Sequence, residues 1–84
     1  MSPYRRARTR ATVTVGESLR IVRTLQGMTQ AQLSGLSGIR RTVISAIERD
    51  RVRLSIERAK VLARALKCHP GVLVFPGWSN EEAA

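Results

Sequence analysis

Apolar residues recur at helical spacing along most of this chain. Leu19, Val22 and Leu25 stand three apart, as do Leu33 and Leu36. Ile39, Val43, Ile44 and Ile47 repeat at three or four, and Ile56, Ala59, Leu62, Ala63 and Leu66 continue the period. The pattern predicts helices over about residues 16–26, 30–36, 41–49 and 56–66, each turning those apolar positions inward. Gly27 sits where a C-terminal glycine cap closes the first helix. Thr29 and Ser55 stand one residue before predicted helices, where a hydroxyl can accept a bond from an unpaired first-turn N–H. Pro70 suits the first turn of a short fifth helix over about 70–75. Residues 1–14, MSPYRRARTRATVT, have no helical period and read as a flexible basic arm, and residues 76–84, PGWSNEEAA, as a short loose tail. There is no internal repeat. The expected fold is all-α: a compact bundle of about five short helices, in one domain over 15–75.

The second and third helices are joined through Gly38, where the chain must turn sharply and a residue without a Cβ reaches positive φ at no steric cost. Two short helices joined this way form a helix-turn-helix, whose second helix can enter the DNA major groove. The outward side of that second helix carries Arg41, Thr42, Ser45, Ala46 and Arg49. All are small, hydroxyl-bearing or basic and none is acidic, which fits a surface that approaches a polyanion. Val43 lies between them and reads equally as groove-facing or partly core.

Residues from about Val15 to Phe75 resemble the lambda-repressor-like (Cro/repressor, Xre-type) helix-turn-helix family. The likeness rests on Val15-Gly16 opening the first helix, Leu19, Val22 and Arg23 along it, the GMTQ start of the second, Gly38-Ile39 at the turn, the ISAIER run, and Leu62, Ala63, Ala65 and Leu66 in the fourth. The resemblance implies that Gln30 fixes its helix on the DNA backbone and that Arg41 and Thr42 reach base edges. Arg41 bidentate to guanine is the natural contact, with a phosphate contact as its alternative. It also implies that Arg23, which a charge count alone would assign to DNA, pairs with Glu48 and ties the first helix to the third. Two positions depart from the family pattern. Arg40 stands where a Ser or Thr usually caps the third helix, and Asp50 follows that helix where Gly is common; Asp tolerates the left-handed conformation better than most residues.

Charge sharpens this picture. The 84 residues carry 15 Lys plus Arg against 6 Asp plus Glu, for a net +9. Residues 1–14 and residues 15–54 hold +4 each, whereas 55–84 hold only +1. The excess is thus gathered at the arm and the helix-turn-helix, as a nucleic-acid reader requires. No apolar run approaches the roughly 18 residues of a membrane span, and the N-terminus has no signal-peptide core. A lone Cys68 makes no internal disulfide, which suits a reducing cytoplasm. Cys68 beside His69 supplies half a tetrahedral metal site at most; the family resemblance implies packing for the first and capping of the fifth helix for the second, and no cofactor, no metal and no enzymatic activity are expected.

The expected function is that of a sequence-specific, double-stranded DNA-binding transcription regulator, most simply a repressor. Arg41, Thr42, Ser45 and Ala46 would read bases, while Gln30, Arg40, Arg49, Arg51 and Arg53 would hold phosphates. One such helix reads only a few base pairs, so a homodimer on a pseudo-palindrome is expected. Val72, Leu73, Phe75 and Trp78 are the candidate dimer surface; the alternative is that they close the core. The arm, with Arg5, Arg6, Arg8 and Arg10, either follows DNA, pairs as a strand through Ala11–Val15, or merely solubilises. A competing reading makes the chain an antitoxin that masks a toxin protein and autoregulates its operon, or a restriction–modification controller.

Overall fold

The computed structural model describes residues 13–75. Five helices follow in order: α1 (Val15–Leu25), α2 (Gln30–Ser37), α3 (Arg41–Glu48), α4 (Ile56–Leu66) and α5 (Pro70–Val74). The expected all-α bundle is what forms, with every boundary within one residue of its sequence-based position.

Local chemistry explains the boundaries. Thr14 Oγ1 accepts from Glu17 N at 3.0 Å while the Glu17 carboxylate accepts from Thr14 N at 3.0 Å, a reciprocal capping box that starts α1. Thr29 and Gln32 repeat the device at α2, with bonds of 2.8 and 3.0 Å. Gly38 ends α2 at φ 77°, and a Cβ there would meet nothing within 4 Å, so the backbone angle alone calls for glycine. Ser55 caps α4 by accepting from Arg58 N at 3.1 Å. His69 Nδ1 accepts from Gly71 N at 2.9 Å and so does for α5 what a hydroxyl does for the other helices. Arg40, preceding α3, makes no side-chain cap bond.

The core is built from Leu19 of α1, Leu33 of α2, Ile44 and Ile47 of α3, Leu62, Ala63 and Leu66 of α4, and Leu73 of α5. Helix α1 packs on α3 and α5, and α4 packs on α2 and α5. The Gln26 amide of the α1 end donates to the Leu66 carbonyl at the α4 end. Helix α3 is thereby held along one side and left open along the other.

Three apolar residues expected inside are instead exposed: Leu25 at 80%, Leu36 at 63% and Ile56 at 60%. Leu25 lies two three-residue steps beyond Leu19, and each such step falls about 60° short of a full turn. It therefore rotates off the inward face, whereas Arg23, four residues from Leu19, stays on it and is buried. Leu36 sits at the edge of the α2–α4 seam beside Val61 and Ala65, and Ile56 occupies the solvent-facing first turn of α4. The strand alternative for residues 11–15 also fails in its second half, because Thr14 is a helix cap and Val15 is already helical; Ala11 and Thr12 lie outside the described residues. Among the described residues no helix is long and apolar enough to cross a membrane.

Candidate nucleic-acid interface

Besides the core packing of Ile44 and Ile47, three sets of contacts hold α3, and these act on its C-terminal half. First, Gly16 lets α1 approach so closely that a Cβ there would stand 2.2 Å from the Ile47 carbonyl oxygen and 2.8 Å from that of Glu48. Second, Asp50, at φ 60°, latches the two helices together. Thr14 Oγ1 donates to its Oδ2 at 2.6 Å and Gly16 N donates to its Oδ1 at 3.0 Å. Third, Arg23 meets Glu48 in a bidentate pair, Nε to Oε2 at 2.6 Å and a terminal nitrogen to Oε1 at 3.0 Å. These side chains are only 10% and 3% exposed. The remaining Arg23 nitrogen donates to the Met28 carbonyl at 2.7 Å, and Gln30 Nε2 donates to Glu48 Oε1 at 3.0 Å, so the buried charges are bonded on several sides.

The other side of α3 borders an open groove lined by Gln30, Arg41, Thr42, Ser45, Ala46, Arg49 and Arg51. Arg41, Thr42, Arg49 and Arg51 are exposed, and Ser45 and Ala46 are half-buried in its floor. Among the described residues no carboxylate lines it. The two acidic residues nearest in sequence are turned elsewhere, Glu48 to Arg23 and Gln30, Asp50 to Thr14 and Gly16. The groove therefore presents three guanidinium groups that no carboxylate among the described residues neutralises, backed by hydroxyl and amide groups that can donate to phosphate or base edges.

All four residues assigned to base reading meet in this groove, together with Gln30, Arg49 and Arg51 of the phosphate set. Arg40 and Arg53 are exposed but do not line it; Arg53 borders a second hollow with Val15, Gly16 and Asp50. Val43 is half-buried and packs against the core. Leu73 requires correction as a dimer-surface residue: its side chain is fully buried in the core, because α5 is the element that closes the bundle over α1 and α4. Val72 is half-buried and Phe75 is 61% exposed, so these two keep surface to offer. Arg5, Arg6, Arg8, Arg10 and Trp78 lie outside the described residues. The double role of Asp50, as latch as well as left-handed turn, was not read from the sequence; its partners lie 34 and 36 residues away.

Among the described residues no group of three or more His, Cys, Asp or Glu side chains could hold a metal. Cys68 packs half-buried against the core, and burial pushes its thiol pKa up. Ionising this thiol therefore costs more in the folded chain than in the unfolded one, so the folded state loses stability as pH rises above the ordinary thiol range. Alkylation of Cys68 at pH 8 is accordingly expected to be several-fold slower in the folded protein than in urea, read by mass spectrometry.

The helix-turn-helix family pattern matches this chain over residues 19–73, which spans α1 to α5 and the groove they frame. The chain belongs to the helix-turn-helix family. Its lambda-repressor-like kind is that of DNA-binding transcription regulators, not enzymes. This helix-turn-helix protein is 32% identical over 69 residues to control protein C.SmaI of Serratia marcescens, covering 81% of this chain and 82% of that one. In structure it resembles the restriction-modification controller protein C.AhdI from Aeromonas hydrophila, with a TM-score of 0.70, 36% identity, and 73% of this chain and 92% of that one covered. It also resembles a hypothetical transcription factor, NHTF, from Neisseria, with a TM-score of 0.71, 28% identity, and coverage of 77% and 75%.

Proposed function

We propose that this helix-turn-helix protein is the controller of a restriction–modification system, acting as a dimer on a pseudo-palindromic double-stranded DNA site. The carrying observation is the α3 groove, in which, among the described residues, three arginines and no carboxylate surround three small or hydroxyl-bearing positions, Thr42, Ser45 and Ala46, of a helix locked from behind. The two relatives described as controllers, from different organisms, are covered over 82% and 92% of their length, which favours this reading over a simple repressor or a toxin-masking antitoxin.

In this reading Arg41, Thr42, Ser45 and Ala46 contact base edges, Ala46 only through a thymine methyl, while Gln30, Arg40, Arg49 and Arg51 set the register on phosphates. Selection of bound sequences from a random pool tests it. The parent should return a two-fold-related site with half-sites about one helical turn apart. Arg41→Ala should cost about 1–3 kcal/mol and relax preference at one position in each half-site. An Arg41→Ala protein that selects the parent's site with the parent's strength would move the reading face elsewhere.

The dimer surface in this reading is the exposed apolar hollow in which Ile56 of α4 and Phe75 adjoin Ala59, Pro70 and Val74. Phe75→Asp should convert dimer to monomer in sedimentation and weaken binding to the full site far more than to a half-site. An unchanged dimer would shift the interface to another face.

A further inference from the structure

A trough between α2 and α4 lies apart from the recognition groove and from the hollow assigned to the dimer, and shares no residue with either. Met28, Leu36, Val61 and Ala65 make its apolar floor, and Arg64 and Lys67 stand along its α4 rim. It runs on past Met28 and Leu36 into a second hollow beside Gln32 and Gly35. Leu36 is 63% and Val61 37% exposed, and both rim cations are exposed. Helix α2, QAQLSGLS, brings no charge to the opposite rim. Among the described residues no carboxylate lines either hollow, and neither Arg64 nor Lys67 makes an ion pair. Gly35 lies inside α2 where a Cβ would meet nothing, so the fold itself does not require glycine there. Its missing side chain leaves bare helix beside Leu36 that a partner can approach closely.

We propose that this trough docks an acidic amphipathic helix of another protein, its apolar stripe on Met28, Leu36 and Val61 and its carboxylates on Arg64 and Lys67. Such a helix lays anchors at i, i+3 or i+4, and i+7 into an apolar groove, and the cationic rim sets the sign of the charges that flank them. A nucleic-acid strand fits less well, because its bases stack on aromatic side chains and none of the described residues in the trough is aromatic. A second copy docking by the same face fits less well too, since a two-fold contact would set Arg64 and Lys67 against their own like. The recognition groove stays open while the trough is filled, so the protein can hold DNA and the helix together.

The test selects binders from a library of random 16-residue peptides on the full chain, once alone and once with duplex DNA bound. Both selections should enrich peptides with apolar residues at helical spacing and an excess of Asp and Glu. The tightest peptide should lose roughly tenfold in affinity on Leu36→Gln, and again on Arg64→Gln combined with Lys67→Gln, as removal of a docking anchor does. All of these proteins should melt like the parent. No enrichment, or enrichment of neutral or basic peptides, overturns the proposal. So does an affinity that the variants leave unchanged, and so does displacement of the peptide by DNA, which would place it in the recognition groove. A Trp78→Ala chain that binds the peptide tenfold tighter would make the chain's own end the occupant, and a Leu36→Gln chain that sediments with fewer subunits would make it a second copy. The selection on the DNA-free chain decides the trough whether or not the regulator reading stands.

Discussion

Gly16→Ala is expected to abolish stable folding. The added methyl would lie 2.2 Å from the Ile47 carbonyl oxygen and 2.8 Å from the Glu48 carbonyl, with the Asp50 carboxylate at 2.7 Å. Two of these three are backbone atoms of a packed helix and cannot rotate away. Overpacking ordinarily costs about 1–3 kcal/mol where side chains can shift; here α1 must separate from α3, so more than about 3 kcal/mol is expected. A domain of this size has only about 5–15 kcal/mol in all. Gly35→Ala is the matching control. Gly35 is inside α2, nothing lies within 4 Å of its would-be Cβ, and the change should raise stability by about 0.5–1 kcal/mol. Chemical denaturation of the two variants beside the parent decides the point; equal midpoints for Gly16→Ala and parent would mean that the α1–α3 contact is looser than described.

Glu48→Ala and Arg23→Ala should each cost about 3–5 kcal/mol, since either leaves a buried charge without its partner. Glu48→Ala is expected to be the worse of the two, because it strands the Arg23 guanidinium and also releases the Gln30 amide from the groove rim. Replacing both at once, Arg23→Met with Glu48→Leu, should recover part of the loss, as apolar groups of similar size need no pairing. Thermal melts read all three. An Arg23→Ala protein that melts like the parent but loses DNA affinity would show that this arginine works on phosphate.

The parts of the fold set by near neighbours were legible in the sequence. Thr29, Ser55 and His69 cap the helices that follow them, Gly38 makes the turn, and Leu19, Leu33, Ile44, Ile47, Leu62 and Leu66 fill the core. The groove was legible too, because residues on one side of a short helix keep one another's company whatever the rest of the chain does. What escaped depends on how elements meet. Leu25, Leu36 and Ile56 keep an apolar spacing yet fall at helix ends, where no facing element covers them. Leu73 looked like spare apolar surface because a five-residue helix gives too little pattern to show which side packs. The Asp50 latch joins residues more than thirty positions apart, and no local period encodes that.

The locking of α3 from its C-terminal half has a consequence for how such a protein changes over generations. Gly16, Arg23, Glu48 and Asp50 carry the mechanical attachment and touch none of the exposed positions at the start of the helix except through Gln30. Arg41 and Thr42 are exposed, and exchanges at such surface positions ordinarily alter stability by no more than about 0.5 kcal/mol. If Arg41 and Thr42 read bases as proposed, target preference and foldedness are inherited through separate residues. A lineage can drift from one recognition sequence to another by a handful of substitutions at the front of α3, never passing through an unfolded intermediate, so long as the four positions behind it stay as they are.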